Sequence, residues 1–191
     1  MSTQQKKHHS KKRLNTSHYY SFPNSYKQEG VDHINLNIQS NIAIGKILDP
    51  GYVKVINYPY IGKFQSVSSL WYWLRSANMD DAIRKLTGPE LRNYTRTNGV
   101  YDKYVPNFKA IIAKATWIKL KNYPHVIDQI KNLDDRLVFM SYHVIKSSGV
   151  RVCSSYADII VDIANSIIKD IKKGVEPSFD HFTTSGASCD L

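Results

Sequence analysis

Cysteine is scarce. The 191-residue chain holds two, Cys153 and Cys189, too few for a disulfide framework or a multi-cysteine zinc site. No apolar run approaches eighteen residues, which excludes a transmembrane helix and predicts no membrane partner. Met1 to Lys7 carry charge with no apolar stretch behind them, so no secretory leader is expected. The chain lacks a phosphate-cradling glycine-rich loop and a Gly-x-Ser-x-Gly nucleophile elbow. His8, His9, His18, His33, His125, His143 and His181 have no i, i+4 company, so no metal is expected. These absences point to an intracellular, cytoplasmic protein in a reducing compartment, with neither metal nor cofactor. Acids are also few, 16 against 26 lysines and arginines.

That imbalance is unevenly spread. Residues 1–30 hold six bases and one acid, a net +5, which is half of the +10 of the whole chain. Their one aliphatic residue of any size is Leu14, and a segment so poor in apolar surface cannot offset the entropy of ordering it. Residues 1–30 are therefore expected as a disordered basic tail. Two roles stay open for it: contact with nucleic-acid phosphates through counterion release, or plain solubility. The remainder, 42% hydrophobic over the whole chain, can bury a real core.

Its patterning predicts a helix-rich α+β domain over 31–174, with residues 175–191 as a flexible C-terminal tail. Ile34 to Gln39 alternate apolar and polar like a half-buried strand, and Tyr52 to Ile56 do so again after the Asp49-Pro50-Gly51 turn. Ser66 caps an amphipathic helix with Val67, Leu70, Trp71 and Leu74 on one face. A short helix over about 80–87 and another from Pro89 follow, then a loop from Tyr94 to Pro106. Longer helices start at Pro106 and Pro124. Leu137–Val144 and Val150–Cys153 flank Ser147-Ser148-Gly149 as a hairpin. The last helix is capped by Ser154 or Ser155, buries Ile160, Ile163, Ile167 and Ile171, and closes at Gly174.

The segment richest in chemical information runs from Pro59 to Leu74. Trp71 falls on the inward stripe of its helix, whereas Tyr72 and Trp73 point to either side of it. For these two, packing on neighbours and lining a pocket that stacks a flat ring both stay open. Arg84, Lys85, Arg92 and Arg96 follow, as solvated helix faces or, together with the aromatics, as a seat for an anionic nucleotide. Cys153, at a strand end with no histidine near it in sequence, reads as a small buried hydrophobe.

The run Phe64-x-Ser66-x-x-x-x-Trp71-Tyr72 at a helix start resembles the opening motif of the NADAR (YbiA-like) superfamily. The order of elements over about 33–172 is similar too: a short basic helix, a loop, an Ala/Lys-containing helix, a hairpin and a long final helix. The strand at Ile34 to Leu36 with Ser40, Gly45 and Lys46 resembles a subgroup found in phage and bacterial genomes. Abundant Ile, Lys, Asn and Tyr fit an AT-rich phage or viral genome.

The resemblance implies an N-glycosidase fold acting on ADP-ribosylated nucleic acid or a free ribosyl-amine nucleotide. It implies a pocket built from Phe64, Ser66, Ser68, Trp71, Arg84 and Arg92. Such chemistry needs a carboxylate to activate water or to steady an oxocarbenium-like transition state. The family motif, Phe-x-Ser/Thr-x-Glu, has Ser68 here in place of the glutamate. A second acidic motif, Asp before Trp-Gly, is replaced by Gly149 to Cys153. Asp80, Asp81, Glu90 and Asp102 are the acids available as substitutes. An active glycosidase, a catalytically degraded nucleotide binder and a phage accessory or virion-associated interaction protein are the three functions that follow.

Overall fold

The computed structural model describes residues 28–100 and 105–183. Most of the expected basic tail, and Asp102 and Cys189, lie outside the described residues. Gln28 to Gly30 fall within them, and Glu29 is tied to the domain. Its carboxylate accepts hydrogen bonds from the Asn35 and Asn41 amides and from the Ser40 hydroxyl.

Six α-helices and three two-stranded sheets make a mixed α+β fold among the described residues. The first strand, β1 (His33–Asn35), is short and wholly buried, so the expected alternation does not persist. It lies parallel to β4 (Val138–Met140), with Ile34 opposite Phe139. A strand covered on both faces favours continuous apolar or hydrogen-bonded residues over alternation. Asn35 fits this by bonding both main-chain groups of Tyr142 through its side chain.

A helix absent from the sequence reading follows, α1 (Ala43–Leu48). Six residues are too few to display a helical period. Gly45 is required there: a Cβ would stand 2.2 Å from the Asn35 carbonyl oxygen and 2.4 Å from Ser40 Oγ. The strand expected at Tyr52 to Ile56 begins only at Ile56. It forms β2 (Ile56–Tyr58), paired antiparallel with β3 (Gly62–Phe64). Pro59 marks the turn of this hairpin and not merely the end of a strand.

Helix α2 (Val67–Arg75) starts where its cap predicts, with Ser66 Oγ accepting from the Ser69 amide at 3.1 Å. The helix expected over about 80–87 is a 3₁₀ turn, Asp81–Lys85, preceded by another at Ala77–Met79. Helix α3 (Gly88–Asn98) runs into the expected loop because Leu91 and Thr95, one turn apart, both reach the core.

Helices α4 (Phe108–Leu120), α5 (Pro124–Lys131) and α6 (Ala157–Lys172) pack on one another. Ile112, Ala113, Val126, Ile130, Ile163, Ile167 and Ile171 are buried between them. The small Ala113 and Ala164 allow close helix approach. The expected long strand from 137 breaks at Ser141: β4 pairs with β1, while β5 (Tyr142–Val144) pairs with β6 (Arg151–Cys153) in the expected hairpin. Neither Ser154 nor Ser155 caps α6. Tyr156 holds the N-cap position in the left-handed region, φ 63°, and Cys153 is half-buried. Beyond Gly174 the chain, expected as a flexible tail, continues to a 3₁₀ turn at Asp180–Phe182. There Phe182 is 5% exposed and belongs to the core. No helix among the described residues is long and apolar enough to cross a membrane.

Candidate functional site

One cleft of about 370 Å³ gathers residues from six parts of the fold, the turn at Asn37 and Ile38 among them. The 49–51 turn and the first two turns of α2 form one wall. The start of α3 supplies Leu91 and Arg92. Opposite them stand Ser141 and His143 beside β5, and Ser154, Ser155, Tyr156 and Ile160 at the start of α6. The i, i+3, i+4 spacing of Ser68, Trp71 and Tyr72 turns all three toward this space.

The six residues expected to line a pocket divide evenly. Ser68, Trp71 and Arg92 border the cleft; Phe64, Ser66 and Arg84 do not. Ser66 is spent on capping α2, and its hydroxyl also lies 2.9 Å from Ser69 Oγ. Phe64 is buried edge-to-face against Trp73, with ring centroids 5.5 Å apart. Arg84 lies over both of those rings, its guanidinium carbon 4.5 and 4.3 Å from their centroids. It donates to the Ile61 carbonyl at 2.7 Å and to Asp81 at 2.5 Å. These three residues brace α2 from behind. The open question of Tyr72 and Trp73 resolves in opposite ways, with Trp73 in the core and Tyr72 on the cleft.

Trp71 does both jobs. It is buried edge-to-face against Phe108 at 4.8 Å, and its ring lies 5.5 Å from that of Tyr156. The buried guanidinium of Arg75 sits 4.8 Å from the Tyr156 ring centroid. Burial and the neighbouring Tyr156 raise the Tyr72 phenol above its ordinary pKa, opposed by the charges of Arg75 and Arg92. Arg92 itself is exposed at the cleft margin.

A carboxylate does enter this cleft, and it belongs to none of the expected acids. Asp80 caps the 3₁₀ turn and accepts from the Tyr94 hydroxyl. Asp81 is held by Arg84 and Trp73, which keep its carboxyl below the usual range. Glu90 is exposed on the first turn of α3. The cleft acid is Asp49, which in the sequence reads only as the head of a Pro-Gly turn. Its Oδ2 accepts from the Ile38 amide at 3.1 Å, and its Oδ1 from the Gly51 amide.

Asp49 and Ser68 both border the space beside the bare Cα of Gly51. A Cβ at Gly51 would stand 2.8 Å from Asp49 Oδ1 and 3.8 Å from Ser68 Oγ. The Ser68 amide also donates to the Pro50 carbonyl at 2.8 Å, fixing this turn on the first turn of α2. Burial raises the Asp49 carboxyl above its ordinary pKa of 3.8, opposed first by the charge of Lys119 and then by the backbone amides. Sequence offered one signal for it: an acid ahead of Pro-Gly is a common turn former, and nothing local separates a turn former from a site acid.

Among the described residues no group of three or more histidines, cysteines or acids is placed to hold a metal ion. The cleft's own chemistry is that of a polar-walled aromatic slot with one acid and one exposed arginine. It can stack a flat ring, pair an anion and place a carboxylate beside a bound bond. No family model, curated protein or solved structure matches the chain.

Proposed function

We propose that this chain is a divergent NADAR-like N-glycosidase whose cleft takes the ADP-ribosyl or ribosyl-amine bond of modified nucleic acid or a free nucleotide. The observation that carries the reading is the Asp49 carboxyl in the same cleft as Ser68, the position at which the family motif has glutamate. A side chain from the neighbouring turn thus supplies charge where α2 has lost it.

In this reading Trp71, Tyr72 and Tyr156 pack against the base or ribose, and Arg92 pairs with phosphate. Asp49 accepts a proton from water as its oxygen bonds to the anomeric carbon. The C–N bond breaks with its electron pair going to nitrogen, which takes the proton Asp49 received, so one water is consumed and the sugar leaves with a new hydroxyl while the nitrogen side leaves as N–H. A carboxyl raised by burial is a stronger base than one in water, which suits it to this step.

One observation favours a second reading, a cleft that binds without hydrolysis. Each Asp49 oxygen already accepts a main-chain hydrogen bond, and such a carboxylate is partly committed to holding its turn. The protein would then be a phage accessory or virion-associated binder of nucleotide or nucleic acid.

Incubation with single- and double-stranded DNA bearing ADP-ribosylated guanine tests both. Release of ADP-ribose, reduced roughly 10²–10⁴-fold in Asp49→Asn, is the expected result. Binding without release would overturn the glycosidase reading in favour of the binder, and the absence of both at millimolar ligand would overturn each.

A further inference from the structure

Lys119 departs furthest from what its sequence position suggests. It lies on the last turn of α4, where a lysine usually reaches solvent, yet its exposure is 0%. Its ammonium donates to the main-chain carbonyl of Asp49 at 2.7 Å, across 70 residues of sequence. The same residue therefore presents its carboxyl to the cleft and its carbonyl to a buried cation behind the wall. A buried ammonium without a strong reason to stay is costly, since its desolvation is offset only by partners of excellent geometry.

We propose that Lys119 is the positioning residue of this site, fixing the Asp49-Pro50-Gly51 turn through the Asp49 carbonyl and setting, through its charge, how readily the Asp49 carboxyl gains or loses a proton. The two groups act on each other through their charges. The charge acting on Lys119 is that of Asp49, and the charge opposing burial of Asp49 is first that of Lys119. The other ionisable groups on the cleft, among the described residues, are Tyr72, Arg92, His143 and Tyr156. Burial pulls the Lys119 ammonium down to about 7, so its charge changes near neutrality. Once Lys119 is neutral, the attraction that holds Asp49 ionised is gone and the carboxylate becomes the stronger base.

The inference rests on Asp49 being the cleft's acid, but its test reads protons instead of turnover. In labelled whole protein, the Asp49 carboxyl carbon and the Lys119 ε-carbon are followed by NMR across pH. Lys119 is expected to titrate near 7 in the unmodified chain. Its midpoint should fall in Asp49→Asn, and that of Asp49 should rise in Lys119→Met, by equal amounts, because coupling is reciprocal.

Titrations that do not move on substitution would overturn the inference, as would a Lys119 midpoint near 10.5. Should Lys119→Met fail to fold, the Asp49→Asn arm decides alone. Reciprocal shifts without ADP-ribose release would leave this pair standing and sink the glycosidase. Release with uncoupled titrations would do the reverse.

Discussion

The two sides of α2 carry nearly the same residue types and do opposite things. Behind the helix, Phe64, Trp73 and Arg84 close on one another: the guanidinium lies over both rings and gives its hydrogens to Ile61 and Asp81. In front, Trp71, Tyr72 and Arg92 border open space, and the arginine stays exposed. Aromatic and guanidinium groups satisfy each other when a neighbouring strand and turn bring them into contact. They remain available to a ligand when the neighbours stand apart. The composition of a segment therefore does not distinguish a brace from a binding wall.

The sharpest way to break this comparison is to remove the brace. Phe64→Ala should cost about 3–5 kcal/mol, the range for deleting a buried aromatic, with the loss read from urea melts. A cost below about 1 kcal/mol would mean that the rear face is not a core.

Lys119 gives the next largest effect, and it depends on pH. The folded chain holds this group at about 7 against an ordinary 10.5. Between those values the unfolded chain keeps a proton that the folded chain has released, so this group makes stability rise with pH across the window. The burial penalty is fully present below 7. Lys119→Met should flatten that rise, by a few kcal/mol in comparative melts at neutral pH and near pH 10. Asp49 runs the other way. Its raised carboxyl makes stability fall as pH climbs from 3.8 toward its folded value, so Asp49→Asn should remove an acid-side decline.

Smaller effects separate the two arginines. Arg84→Met should lower stability by about 1–3 kcal/mol, mostly through the bond to Ile61, since the partner Asp81 is exposed and screened. It should leave ADP-ribose affinity unchanged. Arg92→Met should move stability by no more than about 0.5 kcal/mol and weaken ADP-ribose binding roughly tenfold, measured by calorimetry. The comparison fails if both substitutions act alike.

Much of the architecture is legible in the chain because its causes are local. Ser66 ahead of an apolar stripe starts α2, Pro124 opens α5, and the Ile163, Ile167, Ile171 series specifies the buried face of α6. Ser147-Ser148-Gly149 turns the β5–β6 hairpin for the same reason. Elements held by distant partners are not legible this way. Helix α1 depends on the close approach of Gly45 to Asn35, and β1 on a parallel partner a hundred residues away.

The candidate site divides along the same line. The sequence by itself determined that Trp71 lies on the inward stripe of α2 with Val67, Leu70 and Leu74, because a 3.6-residue period needs no tertiary information. Only the tertiary structure decided that Phe64, Ser66 and Arg84 turn away, that Tyr72 faces the cleft while Trp73 enters the core, that Asp49 shares the cleft with Ser68, and that Lys119 lies dry behind Asp49. The physical reason is that the charge state and availability of a side chain depend on desolvation and on which partners lie within a few ångströms. Those partners come from parts of the chain whose separation along the sequence says nothing of their distance in space.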